Sequence, residues 1–125
     1  MDTRVAVLPV GYADGVPRNF GLGGGEVILG GERRAVRGVV TMDQTMVEVG
    51  PLAGTAAITV QRGDEAVLIG SSAGAGLLRP EGGSGPTGPA REVASVTATD
   101  WAEVMQTIPY EIVCGFSARL PREYR

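Results

Sequence analysis

Short runs of β-branched and apolar residues, each halted by glycine, proline or an Asp-Gly pair, succeed one another through the first half of the chain. This punctuation restricts the fold more than any other feature. Residues 4–10 make the first run, which stops at Gly11. After a glycine-rich connection over residues 20–25, the runs 26–29 and 33–40 flank Gly30-Gly31, a dipeptide that supplies the positive φ angles of a tight hairpin. Residues 45–49 alternate as a half-buried strand does, and 55–60 and 65–69 are further β-prone runs, set off by Gly-Pro and Arg-Gly-Asp turns. Strands this short and closely spaced predict a mainly β domain, a small closed or partly open Greek-key barrel. The 20 glycines, more than the usual share, fit so many turns.

The character changes after residue 70. Residues 71–91 are dominated by Gly, Ser, Pro and Ala, with few groups to bury and little to offset the entropy of ordering, so a mobile loop is expected there. Thr99 and Asp100 followed by Glu103 have the form of a helix cap with a carboxylate one turn on, and Trp101, Val104 and Met105 fall on one face of a short helix. Pro109 sits where a second helix can begin, Ile112 and Val113 supply its apolar side, and Gly115 is placed to end it. Residues 120–124 read as a last strand or a tail.

The 125 residues, 43% hydrophobic and 20% charged, suit one globular domain spanning 1–125. A net charge of −3, with no basic cluster denser than Arg33, Arg34 and Arg37, argues against nucleic acid as a partner. The lone Cys114 excludes an internal disulfide and is expected to pack as a small buried hydrophobe. No apolar run approaches the ~18 residues of a membrane helix, and Met1-Asp2-Thr3-Arg4 lacks the form of a signal peptide, so a soluble cytoplasmic protein without membrane attachment is expected.

What the chain lacks restricts its chemistry. All 11 basic residues are arginines. Without histidine the usual zinc sites cannot form, so no metal is expected, and the common acid-base group near neutral pH is missing. Without lysine no side chain can form a Schiff base with pyridoxal phosphate. Any chemistry rests on Tyr, Asp, Glu, Cys, Ser or Thr, or is shared with a partner.

Four segments, taken in order, are more specific than composition. They are Val10-Gly11-Tyr12-Ala13-Asp14-Gly15-Val16-Pro17-Arg18; Gly38 through Thr41-Met42-Asp43-Gln44; Gly63-Asp64-Glu65-Ala66-Val67-Leu68-Ile69-Gly70; and Thr107-Ile108-Pro109-Tyr110-Glu111-Ile112-Val113-Cys114-Gly115 with Arg119-Leu120-Pro121-Arg122 after it. Together they closely resemble the C-terminal domain of alanine racemases, over essentially the whole chain apart from the glycine-rich loop. The resemblance implies a homodimeric enzyme of two-domain subunits. Its N-terminal (β/α)8 barrel holds pyridoxal phosphate on a lysine, and its β domain completes the site of the partner subunit. The substrate it implies is alanine or a similar small amino acid.

By the same resemblance Tyr12 is one of two acid-base groups, the cofactor lysine being the other. Racemisation removes a proton from one face of the α-carbon and returns it on the opposite face, a task suited to two opposed bases. An ordinary phenol titrates at about 10, so one used as a base near neutrality needs positive charge or donors beside it. Met42 maps onto a residue whose backbone N–H helps hold the substrate carboxylate, Asp43 onto the substrate entry, and Tyr110 onto a tyrosine that bonds the cofactor phosphate. Each has a plainer reading from the residues alone: Tyr12 closing a barrel end, Met42 filling a core gap, Asp43 capping the amides of Gln44 and Thr45, and Tyr110 anchoring a helix start in the core.

At Val39 many family members carry arginine, and at Thr41 many carry cysteine, which puts the substrate range in question. The chain alone is expected to be inactive, since the lysine lies elsewhere. Two other readings stand beside this one: a natural subunit of a split racemase, and a noncatalytic β module for binding or dimerisation.

Overall fold

The computed structural model describes residues 3–51, 60–72 and 94–124. Strands β1 (Thr3–Leu8), β2 (Glu26–Leu29), β3 (Glu32–Arg37), β4 (Thr45–Pro51) and β5 (Ala66–Val67) form one antiparallel sheet, and β6 (Gly70–Ser71) pairs with β7 (Ser95–Val96). Helices α1 (Ala98–Met105) and α2 (Pro109–Cys114) follow.

The strand order β1-β4-β3-β2-β5 brings the first strand back beside the fourth. This is the Greek-key connection expected from the sequence. The sheet curls into a five-stranded half-barrel, the partly open form of the expected architecture. The hairpin turn lies at Gly30 and Gly31, with φ 66° and 79°. These angles match a type I′ turn, whose twist suits the strands on either side.

The core sits between the concave sheet and α1. Val16, Phe20, Val27, Val36, Val40, Val47 and Val96 are buried there, around Trp101 at 1% exposure. Full burial of a side chain of this kind stabilises by roughly 1.5–3 kcal/mol relative to leaving it exposed. The Trp101 ring lies 4.4 Å from Phe20 and 5.9 Å from Phe116, centroid to centroid. Its Nε1–H donates to the Leu68 carbonyl at 3.1 Å. One side chain thus joins α1 to the segment after β1, to the segment after α2 and to the chain between β5 and β6.

Several expectations need correction. The run 33–40 ends as a strand at Arg37, because Gly38 takes φ 71° and turns the chain, after which the Val40 N–H donates to the Arg18 carbonyl. The run 65–69 keeps only Ala66–Val67 beside β2, and Gly70–Ser71 leaves to pair with β7. Ser71 is therefore strand rather than loop, the Ser72 N–H donates to the Ala94 carbonyl, and residues 73–91 of the expected loop lie outside the described residues. So does the 55–60 run apart from Val60, which is not in a strand. Of the two readings of residues 120–124, the tail holds and the strand does not. Cys114 is exposed rather than packed, and so is Val113, because the six-residue α2 turns only Ile112 into the core.

The cap of α1 is Thr97, not Thr99. Its side chain accepts the Asp100 N–H at 3.1 Å, and the Asp100 carboxylate accepts the Thr97 N–H at 2.8 Å. These reciprocal bonds satisfy two amides that the first helical turn leaves free. The backbone bond from Thr97 holds the Asp100 carboxyl below its usual range against a counteracting loss of hydration; the Thr97 side chain and the Arg33 guanidinium act in the same direction as the backbone bond.

A lowered folded-state pKa means stability that is present above the unfolded value of about 3.9 and lost as pH falls through the folded value. We therefore expect the loss of urea stability from about pH 6 to about pH 3 to be smaller in Asp100→Asn than in the native chain. An equal loss in both proteins would show that this carboxylate is not a coupled group.

Among the described residues no helix is long and apolar enough to cross a membrane, and no three His, Cys, Asp or Glu side chains cluster as metal ligands would.

Candidate functional site

Two backbone segments meet at one end of the half-barrel: residues 11–15, which follow β1, and residues 41–44, which precede β4. Thr45, buried at the start of β4, anchors the first by donating its hydroxyl to the Val10 carbonyl at 2.7 Å. The segments are then joined by two hydrogen bonds, Tyr12 N–H to the Thr41 carbonyl at 2.9 Å and Ala13 N–H to the Met42 carbonyl at 3.1 Å. Gly11 makes this approach possible. A Cβ at that position would lie 2.2 Å from the Thr41 carbonyl oxygen and 2.5 Å from that of Met42, so only glycine fits.

The 11–15 loop is also braced from within. The Asp14 carboxylate, 8% exposed, accepts the Gly11 N–H at 3.0 Å, while the Asp14 N–H donates to the Gly11 carbonyl at 3.0 Å. A buried carboxylate requires such partners, since leaving it unpaired costs several kcal/mol. On its outer side the loop rests against the end of α2. Gly15, at φ 120°, lies where a Cβ would be 2.7 Å from the Gly115 carbonyl oxygen, and the Ser117 N–H donates to the Asp14 carbonyl at 3.0 Å.

This bracing leaves the Tyr12 side chain 48% exposed, with its backbone fixed and its ring at the surface. Met42 is 51% exposed and Tyr110 is 78% exposed. The core readings of Met42 and Tyr110 therefore fail. Asp43 does not cap the following amides either: the Gln44 N–H donates to the Thr41 hydroxyl at 3.1 Å, and the Asp43 carboxylate pairs with Arg119 at 3.4 Å.

Tyr12, Met42 and Asp43 are thus brought together by main-chain contact. Tyr110 is not joined to them. It lies at the beginning of α2, whereas the 11–15 loop packs against the end of that helix. Sequence reasoning missed Asp14 and Arg119 as parts of the site. The Arg119 guanidinium reaches Asp14 at 3.3 Å as well as Asp43. The acidic residue three positions after Gly11 carried a usable signal, because an Asp side chain readily closes a short turn onto a nearby amide. Arg119 stands in the last of the four segments, but nothing near it in the sequence assigned it a partner.

The fold and this braced loop define a β half-barrel domain that presents a tyrosine on its surface. The family described as "Alanine racemase, C-terminal domain" matches residues 1–78 and 87–124. The chain belongs to the alanine racemase family, as its C-terminal domain. It is 41% identical over 123 residues to the alanine racemase of Halothermothrix orenii, covering 98% of this chain and 26% of that protein. It is also 41% identical over 124 residues to that of Mycobacterium leprae, covering 99% and 26%. Among solved structures, the alanine racemase of D-cycloserine-producing Streptomyces lavendulae superposes with a TM-score of 0.69 at 36% identity, covering 98% of this chain and 25% of that one. The enzyme from E. faecalis gives 0.63 at 32% identity, covering 97% and 25%. The chain spans about a quarter of the length of these relatives.

Proposed function

We propose that this domain completes the active site of a cytoplasmic, homodimeric racemase acting on alanine or a similar small amino acid, with Tyr12 as one of its two acid-base groups. The observation that carries this reading is the contrast within residues 11–15. The backbone is pinned by glycine contact, a buried carboxylate and two hydrogen bonds, while the phenol is left half exposed. Packing does not require a fixed loop to expose its aromatic ring. A group that must meet a reacting atom outside its own domain does require it.

The remaining machinery belongs, on this reading, to an N-terminal (β/α)8 barrel and a second subunit. With no lysine in the chain, the covalent attachment of pyridoxal phosphate falls to the barrel. The donor set here suits a lesser part: the exposed Tyr110 phenol is a neutral donor fit for a phosphate oxygen. When bound, the cofactor withdraws electrons from the α-carbon and makes its proton mobile. Tyr12 takes or returns that proton at its phenolic oxygen. The Met42 backbone holds the substrate carboxylate, and Asp43 lines the approach. The family resemblance implies an arginine at the position of Val39; the side chain here is uncharged and 37% exposed, so the entry lacks that cation and its substrate range is altered accordingly.

Supplied with pyridoxal phosphate and L-alanine, the complete protein that carries this domain should accumulate D-alanine until the enantiomers are equal, as read by chiral chromatography. The isolated chain should not. Failure of the complete protein with every small aliphatic amino acid would overturn the proposal, and turnover by the isolated chain would overturn the division of labour.

A further inference from the structure

Arg119 has no part in the roles assigned above, yet it connects the two segments that carry them. Its Nε lies 3.3 Å from Oδ1 of Asp14 in the tyrosine loop, and its Nη2 lies 3.4 Å from Oδ1 of Asp43 in the 41–44 turn. The second Asp14 oxygen, Oδ2, accepts the Gly11 N–H. One guanidinium therefore spans two carboxylates on different segments, a geometry suited to its planar, forked set of donors. Arg119 is itself held in place: its N–H donates to the Ser117 hydroxyl at 3.3 Å, and the Ser117 N–H donates to the Asp14 carbonyl.

The two arms differ in what they contribute to stability. The outer one joins groups that are 55% and 58% exposed, and ion pairs so open to water contribute little to folding, whereas the inner one ends on the Asp14 carboxylate, 8% exposed, which loses its cation when Arg119 is removed. A 1 Å displacement of a reacting group, in contrast, can lower a rate by about 10²-fold. We propose that Arg119 is a positioning residue. It sets the loop bearing Tyr12, through Asp14, against the turn bearing Met42 and Asp43, so that the phenol and the substrate-binding turn keep a fixed relation. This rests on the proton-transfer role of Tyr12 proposed above.

The test uses the complete racemase in deuterated solvent, following α-proton exchange from each enantiomer separately, with thermal unfolding as a parallel measurement. In Arg119→Gln, exchange from the enantiomer served by Tyr12 should slow by about 10-fold, while exchange from the other stays within about 2-fold; the melting temperature falls by a few degrees, because the buried Asp14 carboxylate keeps the Gly11 N–H but loses its cation. Arg119→Lys, whose single ammonium can serve only one carboxylate well, should lie between Gln and wild type. A purely structural role would lower both exchanges together. Parallel losses, or none, overturn the proposal.

Tyr12→Phe identifies which enantiomer is served by the phenol and tests the underlying reading separately. If it leaves both exchanges unchanged, the proton-transfer role is wrong. If it produces the asymmetry and Arg119→Gln does not, only the positioning role is wrong. Should Arg119→Gln fail to fold, Arg119→Lys, which keeps a cation but serves only one carboxylate, must show the same asymmetry in smaller degree; a symmetric effect there overturns the proposal as well.

Discussion

Tyr12→Phe in the complete racemase is expected to slow α-proton exchange from one enantiomer by about 10²–10⁴-fold, the range attributed to a single positioned acid-base group. Exchange from the opposite enantiomer should fall far less, and cofactor binding should remain near wild type. The substitution is clean because it removes only the phenolic oxygen. The groups that fix the loop at this residue are the Tyr12 N–H, bonded to Thr41, and the Tyr12 carbonyl, which accepts from Gly15, and phenylalanine retains both. The ring is half exposed, so removing its hydroxyl leaves no cavity in the core. A loss confined to one face of the substrate thus reports proton transfer and not collapse of the loop. Near-wild-type exchange from both enantiomers would remove Tyr12 from the chemistry and leave it as a surface aromatic.

What the sequence made legible is what depends on neighbours in the chain. The Gly30-Gly31 turn and the start of α2 at Pro109 follow from the backbone preferences of those residues, and the structure agrees; α2 also ends at Gly115, but with φ −73° and not the left-handed angle that favours glycine at a helix end. The cap of α1 is also local, but the expectation fell on Thr99 and missed Thr97. Thr97 with Asp100 has the three-residue spacing of a reciprocal capping box, whereas Thr99 with Glu103 is one residue too long. The pairing of Gly70–Ser71 with Ser95–Val96 was not legible, because neither segment has the length or alternation that marks a strand.

The site divides in the same way. The motifs named Tyr12, Met42, Asp43 and Tyr110, but their exposure is a tertiary property, so the core readings could be rejected only once the fold was known. The contact of Arg119 with Asp43 crosses 76 positions, and no local pattern announces a pair so distant.

Gly11→Ala should damage stability and turnover together, and the reason lies in what its Cβ would meet. Both obstructing atoms are backbone carbonyl oxygens, at 2.2 Å and 2.5 Å, and neither can swing aside as the end of a flexible side chain would. To regain ordinary contact the 11–15 loop must move away from the 41–44 turn by an ångström or so, stretching the hydrogen bonds of Tyr12 to Thr41 and of Ala13 to Met42. Overpacking of this kind costs about 1–3 kcal/mol in unfolding free energy. Displacing the phenol from the turn should lower racemisation by about 10²-fold. Gly31→Ala supplies the contrast. There φ is +79° and a Cβ meets nothing within 4 Å, so the penalty is torsional and confined to the hairpin. It should cost about 1–2 kcal/mol and leave turnover essentially intact. If Gly11→Ala lost no more activity than Gly31→Ala at equal loss of stability, the close approach of the two segments would be a packing detail, and the placement of Tyr12 would have to depend on something other than the contact that glycine permits.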